Sequence, residues 1–260
     1  MAGRITIEKR GAIGLLIFDY PERRNAITLA MWQQIPQAAQ QLAADEEVRV
    51  VILRGAGEQA FVSGADISEF ERNRTPENVD AYERDNARAF AALAAIDKPV
   101  IAMVHGFCVG GGVALAICAD LRYAADDAVF GVPAAKLGLG YAMAGIETLT
   151  QIVGYSNAKE IFFTARRFPA QRALQMGLLN AVFEKAELEQ QVFATAEEIA
   201  KNAPLTLRAV KLCVADLQRE PGARDPASTE RAIQQCYASA DYREGVAAFL
   251  EKRAARFTGR

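Results

Sequence analysis

His105-Gly106-Phe107-Cys108-Val109-Gly110-Gly111-Gly112 is the stretch on which the reading of this chain turns. The apolar run Val100–Val104 before it has the length of a buried strand, and Val113–Cys118 after it that of a short buried helix. Between them the glycines relax the backbone into a turn. A second stretch of the same kind lies upstream. Phe61-Val62-Ser63-Gly64-Ala65-Asp66-Ile67 follows the strand-like run Val48–Arg54. A turn that enters a helix presents N–H groups with no partner inside that helix. Two such turns facing each other grip one carbonyl oxygen from two sides, the geometry that stabilises an enolate or a tetrahedral anion.

The remaining chain is compatible with a soluble small-molecule site. Its 260 residues are 51% hydrophobic and 24% charged, enough for a large core in one broad domain or a domain with a helical appendage. A formal charge of −2 argues against nucleic acid as the main partner, since such proteins carry a basic stripe. The pairs Arg23-Arg24 and Arg166-Arg167 suit small anionic ligands, or simply a solvated surface. The longest apolar run, Pro99 to Ala119, is interrupted by His105 and glycines, and the N-terminus lacks a hydrophobic signal region. No membrane association and a cytoplasmic location are expected. Cys108, Cys118, Cys213 and Cys236 have no paired spacing, so neither disulfides nor a metal site is expected.

Periodicity supplies the organisation. Ile5–Lys9 and Ile13–Asp19 predict a hairpin around Arg10-Gly11-Ala12. Thr28 starts a helix to about Ala44, with Leu29, Trp32, Ile35, Ala39 and Leu42 at helical spacing. Thr75-Pro76-Glu77 predicts the start of another, its stripe formed by Val79, Tyr82, Phe90, Leu93 and Ile96. Leu121–Ala125 and Ala128–Phe130 read as strands, and Ala144–Val153 as a helix. The pattern is a ββα unit repeated in unequal copies, which implies an α/β core with parallel strands. From Ala186 on the chain turns helical: Glu187–Ala200, Leu205–Gln218, Pro226–Ala240 and Tyr242–Ala255. Residues 1–200 are thus expected to form the core and 201–260 a C-terminal helical region.

Taken together, these segments resemble the enoyl-CoA hydratase/isomerase family, or crotonase superfamily. The resemblance runs from Pro21-Glu22-Arg23-Arg24-Asn25-Ala26 through Ser63–Ile67, Gly106–Gly112 and Phe130-Gly131-Val132-Pro133 to Phe249-Leu250-Glu251-Lys252-Arg253. It implies an α/β fold, a spiral of ββα turns with a C-terminal helical trimerisation region, assembled as a homotrimer or hexamer. The ligand it implies is an acyl thioester of coenzyme A, which enters as part of the substrate, with no separate cofactor. The amides of Ala65 and Gly111 match the family's oxyanion-hole positions. Arg24, Ala26, Ser63, Asp66, Ala65 and Ile67 fall in or beside the adenine and pantetheine track. Phe249 and Lys252 match positions that reach a neighbouring subunit's coenzyme A.

The chain also departs from that pattern. Hydratases of the family use two glutamates to position and deprotonate water; the matching positions here are Ala114 and Ala134. A methyl group carries no proton, and general acid–base catalysis is worth about 10²–10⁴-fold. Tyr141 is the candidate substitute. The stretch around it is similar to methylmalonyl-CoA decarboxylases of the same superfamily, where a tyrosine orients the substrate carboxylate, although those carry histidine at the place of Ala65 and glutamate at that of Ala114. Tyr141 equally suits an aromatic wall with its hydroxyl on backbone. Asp66 suits an N-cap on the next helix. Glu147 and Lys136 read as surface groups, and His105, the only histidine, as a packed strand-end residue. The reading taken forward is an enoyl-CoA hydratase that stabilises a thioester enolate. Its alternatives are a decarboxylase or isomerase using Tyr141 and a non-catalytic acyl-CoA-binding protein.

Overall fold

The computed structural model describes residues 2–73, 75 and 77–260. The hairpin expected around Gly11 forms. β1 (Arg4–Arg10) pairs antiparallel with β2 (Ile13–Asp19) from Arg4 opposite Asp19 to Arg10 opposite Ile13. α1 (Leu29–Ala44) follows, and the Thr28 side chain accepts a hydrogen bond from Met31 N, satisfying one of the free N–H groups of the first turn. From there the chain repeats one unit. β3 (Val50–Gly55) and β4 (Ala60–Val62) precede α2 (Phe70–Asn73) and α3 (Val79–Ala94). β5 (Val100–Val104) and β6 (Phe107–Val109) precede α4 (Gly111–Ala116). β7 (Leu121–Ala125) and β8 (Val129–Gly131) precede α5 (Met143–Thr164).

The first strand of each unit enters one sheet and the second strand another. The larger sheet has the order β1-β2-β3-β5-β7-β10, where β10 is Ala181–Phe183; beyond the hairpin its pairings are parallel. The smaller sheet runs β4-β6-β8-β9, with β9 at Phe168–Pro169. Alternation along β3 explains why both faces are covered. Val51 and Leu53 point into the main core with Trp32, Phe61 and Leu93. Val50 and Ile52 point the other way, toward Leu188, Val192 and Ala196 of α7 (Leu188–Ala200). After α6 (Ala170–Gln175) and α7, the chain ends in α8 (Pro204–Leu217), α9 (Pro226–Ala238) and α10 (Ala240–Leu250).

Four expectations are revised. The stretch 105–112 is not one turn: Gly106 (φ +50°) turns the chain into β6, and Gly110 (φ +55°) then turns it into α4. That helix starts at Gly111, two residues earlier than its apolar run suggested. The helix expected over Ala144–Val153 continues to Thr164 across a kink at Gly154, whose φ of +77° glycine alone adopts freely. The last helix stops at Leu250 instead of Ala255 because Lys252 is left-handed (φ +54°) and the tail folds back. There Arg253 pairs with Glu244, and Asp241 accepts the N–H groups of Thr258 and Gly259. Pro76 lies outside the described residues; α3 itself begins at Val79.

His105 sits at the end of β5, 4% exposed, its carbonyl accepting Phe61 N at 2.7 Å. Neither ring nitrogen has a partner among the described residues. Burial, then the charge of Arg54, hold its pKa below the ordinary 6.5. The unfolded chain therefore takes up this proton first, and stability is lost as pH falls below about 6.5, with a limiting slope of about 1.4 kcal/mol per pH unit. The expected result is a melting temperature that drops between pH 7 and pH 5 and does so less in His105→Leu. Parallel pH profiles for the two proteins would rule out this origin.

Candidate active site

The two glycine turns meet because β4 and β6 are adjacent parallel strands, with Val62 opposite Cys108. Both strands point the same way, so the turns that follow them emerge at one edge of the small sheet. Gly112 packs directly beneath: a Cβ there would run into the Val62 carbonyl, so only glycine allows α4 to approach this closely. A Cβ placed on Gly110 would lie 4.0 Å from Gly64 Cα, and one on Gly111 3.7 Å from Ala65 N. The backbone around Ala65 is oriented by a bridge to Ile27. Ile27 N donates to Gly64 O, and Asp66 N donates to Ile27 O. Ala65, between them, has its N–H turned the other way. Among the described residues neither Ala65 N–H nor Gly111 N–H donates to a backbone carbonyl. Two such donors at one end of a cavity have the chemistry to hold an anionic oxygen.

That cavity encloses about 1010 Å³. Ala65 and Gly111 line it together with Ala114, Ala134, Tyr141 and Trp32. Ala114 and Ala134 are both 7% exposed, so the cavity meets their methyl groups and no proton carrier at either place. The carboxylates in the wall are elsewhere. Glu83 is exposed, and Asp120 is occupied by Lys211 Nζ at 2.8 Å and Val100 N at 2.7 Å. Tyr141 packs edge-on against Phe162, and its hydroxyl approaches Gly110 O at 3.5 Å. Gly110 C=O and Gly111 N–H belong to one peptide unit, so a donor at that oxygen polarises the N–H on the other side.

The other sequence-selected residues are not all at the cavity. Ser63 and Ile67 line the cavity, with Ile67 64% exposed at its margin. Arg24 and Ala26 lie in the loop before α1. Ser63 N and Oγ donate to Arg24 O and Arg23 O, and buried Asn25 fastens the loop through Tyr20 N, Ala56 O and Ala60 O. Asp66 turns its carboxylate onto Ser68 N and Oγ, the capping arrangement its position suggested. Phe249 is 84% exposed and lines a separate apolar groove of about 740 Å³ formed by α8, α9 and α10. Lys252 lies just past that helix; neither it nor Phe249 borders the cavity of its own chain. Glu147 and Lys136 are exposed and also outside the wall.

Sequence reading did not connect Arg167 with the site. Its guanidinium lies 5.3 Å from the ring centre of Phe107, and that of Arg24 lies 4.8 Å from the same ring. One aromatic ring thus gathers two cations from segments far apart in the chain, close to Ser63. The only hint was that both arginine pairs suit anions. Among the described residues, no group of three or more His, Cys, Asp or Glu could hold a metal ion, and no helix is long and apolar enough to cross a membrane.

Comparison with known proteins agrees with this architecture. The profile of the family described as Enoyl-CoA hydratase/isomerase matches residues 8–260. A short-chain-enoyl-CoA hydratase from Clostridium acetobutylicum is 34% identical, covering 96% of this chain and 95% of its own. A crotonyl-CoA hydratase from Syntrophomonas wolfei is also 34% identical, with 97% of each chain covered. The solved structure of an enoyl-CoA hydratase/isomerase family protein from Hyphomonas neptunium superposes with a TM-score of 0.94 at 37% identity, covering 98% of both chains. A repeated ββα spiral whose adjacent parallel strands carry two glycine turns, matched over nearly its whole length, makes this chain a member of the enoyl-CoA hydratase/isomerase family.

Proposed function

We propose that the protein is an acyl-CoA-processing lyase, an enoyl-CoA hydratase acting on a 2-enoyl thioester. The observation that carries this reading is the pair of main-chain amides at Ala65 and Gly111, adjacent at one end of the cavity. The thioester carbonyl oxygen accepts both N–H groups. As a nucleophile adds at the β-carbon, negative charge moves onto that oxygen, and the fixed donors stabilise the enolate more than the ground state. Arg24 and Arg167 take the phosphates of coenzyme A, where guanidinium forks match phosphate oxygens. Ser63, Ala26 and Ile67 border the path between phosphates and thioester, and Asp66 supports that path as a cap. Coenzyme A arrives with the substrate, and the reading calls for no other cofactor.

Ala114 and Ala134 limit the water chemistry. With methyls where the family resemblance puts the acid–base carboxylates, hydration lacks a factor of about 10²–10⁴. That same observation supports a second reading, decarboxylation or isomerisation through the enolate, with Tyr141 orienting the acyl group. An enolate route depends on the amides more than on a base. Turnover absent for every thioester, with binding intact, would favour the acyl-CoA-binding alternative.

Three measurements test this. Crotonyl-CoA, a 3-enoyl-CoA and methylmalonyl-CoA are incubated with the protein and with Gly111→Pro, which deletes one donor at a first helical position that accepts proline. Loss of the conjugated enoyl absorbance is expected, slowed about 10²–10³-fold in the variant; an unaffected rate would remove Gly111 from the mechanism. Ala114→Glu with Ala134→Glu is expected to raise the hydration rate by at least about tenfold, and no gain would count against a hydratase-like orientation of the acyl group. The exposed groove around Phe249 and Leu250 supports a homotrimer, or a hexamer of paired trimers. Light scattering should return three or six chain masses in wild type and fewer in Phe249→Glu; a monomeric wild type would sink the assembly.

A further inference from the structure

The buried stripe of α3 consists of Tyr82, Asn86, Ala89 and Leu93, and Asn86 interrupts an otherwise apolar or aromatic face. Tyr82, Asn86 and Phe90 follow at four-residue spacing, so they stand one above another on the helix. Tyr82 Oη accepts a hydrogen bond from Trp32 Nε1 at 3.2 Å, and Phe90 meets the Trp32 ring edge-on with centroids 5.3 Å apart. Asn86 lies between Tyr82 and Phe90 on the same face of the helix. The far edge of the Trp32 indole would lie 3.4 Å from a Cβ on Gly111, beside the paired amides. Trp32, Tyr82, Asn86, Phe90 and Gly111 all line the cavity. Asn86 is 7% exposed, and among the described residues its Oδ1 has no hydrogen-bond partner.

A buried side-chain amide is almost always paired, because an unmade hydrogen bond forfeits the hydration the group had in the unfolded chain. The fold alone does not call for an amide here, since the positions either side of it pack with aromatic rings. The last side-chain bond of asparagine is torsionally soft, so the amide can present either its oxygen or its N–H groups to the cavity. A hydroxyl, which gives and accepts a hydrogen bond, matches it in both orientations, whereas a hydrocarbon chain leaves it unpaired. We propose that Asn86 is a specificity-determining residue that hydrogen-bonds a hydroxyl carried on the acyl group of the thioester. This rests on the acyl-thioester reading above and extends it from the thioester end to the acyl wall.

The test is calorimetric titration of the full chain with butyryl-CoA, 3-hydroxybutyryl-CoA and 4-hydroxybutyryl-CoA, repeated on Asn86→Leu and Asn86→Ala. Wild type is expected to bind one of the hydroxylated esters about tenfold more tightly than butyryl-CoA, the increment of one well-formed hydrogen bond. Asn86→Leu should retain butyryl-CoA binding, lose the preference, and melt at the same temperature as wild type or higher. Equal wild-type affinity for the three esters, or a preference that survives in Asn86→Leu, overturns the role of Asn86 and leaves the thioester reading standing. No binding of any ester removes the thioester reading and the inference with it. A lowered melting temperature in both variants assigns the amide to the fold and overturns the proposal.

Discussion

The parallel pairing of β4 with β6 is the constraint from which the site follows. Each strand has three residues, too short to be stable alone, and Val62 opposite Cys108 fixes their register. Register decides everything downstream, because the turns after the two strands share an edge only if the strands end together. The contact of Gly112 with the Val62 carbonyl holds α4 at that edge. A side chain at this point would lift α4 away and separate the amides of Ala65 and Gly111. The site is thus formed by main-chain geometry, and its few side chains are walls and anchors.

Two kinds of polar placement surround this backbone frame. Some buried polar groups serve the fold. Lys98 reaches Leu42 O and Asp45 O at the end of α1, and Arg122 donates to Leu178 O and Ala119 O. Burial lowers the pKa of Lys98, yet carbonyl oxygens at a helix end are suitable partners for an ammonium. Others have no such partner among the described residues. Arg24 and Arg167 share the ring of Phe107 and leave their charge available, while Asn86 leaves an amide oxygen unmatched. The distinction lies in whether the partner is already supplied by the chain.

Much of the fold was legible in advance. Thr28, the stripe of Trp32, Ile35, Ala39 and Leu42, and the unbroken apolar runs of β3 and β5 carry local signals that tertiary contacts reinforce. The capping role of Asp66 was readable for the same reason. β6 was not, because three residues inside a glycine-rich stretch have no periodicity to detect. The early end of α10 was also hidden: it depends on the tail folding back onto Asp241 and Glu244, contacts between residues up to 18 positions apart. The stripe read from Val79, Tyr82, Phe90, Leu93 and Ile96 did not single out Asn86, because its meaning depends on what lies across from the helix.

Sequence by itself determined the repeated ββα pattern, the family, the two glycine turns and the presence of alanine at positions 114 and 134. These are properties of residue type and order, and they need no knowledge of distance. Only the tertiary structure decided that the two turns are neighbours, that Arg24 and Arg167 meet on one ring, and that Asn86 stands at the cavity wall near Trp32. The physical reason is that each is a meeting of segments tens of residues apart. Strand register and helix packing create such meetings, and no local propensity encodes them.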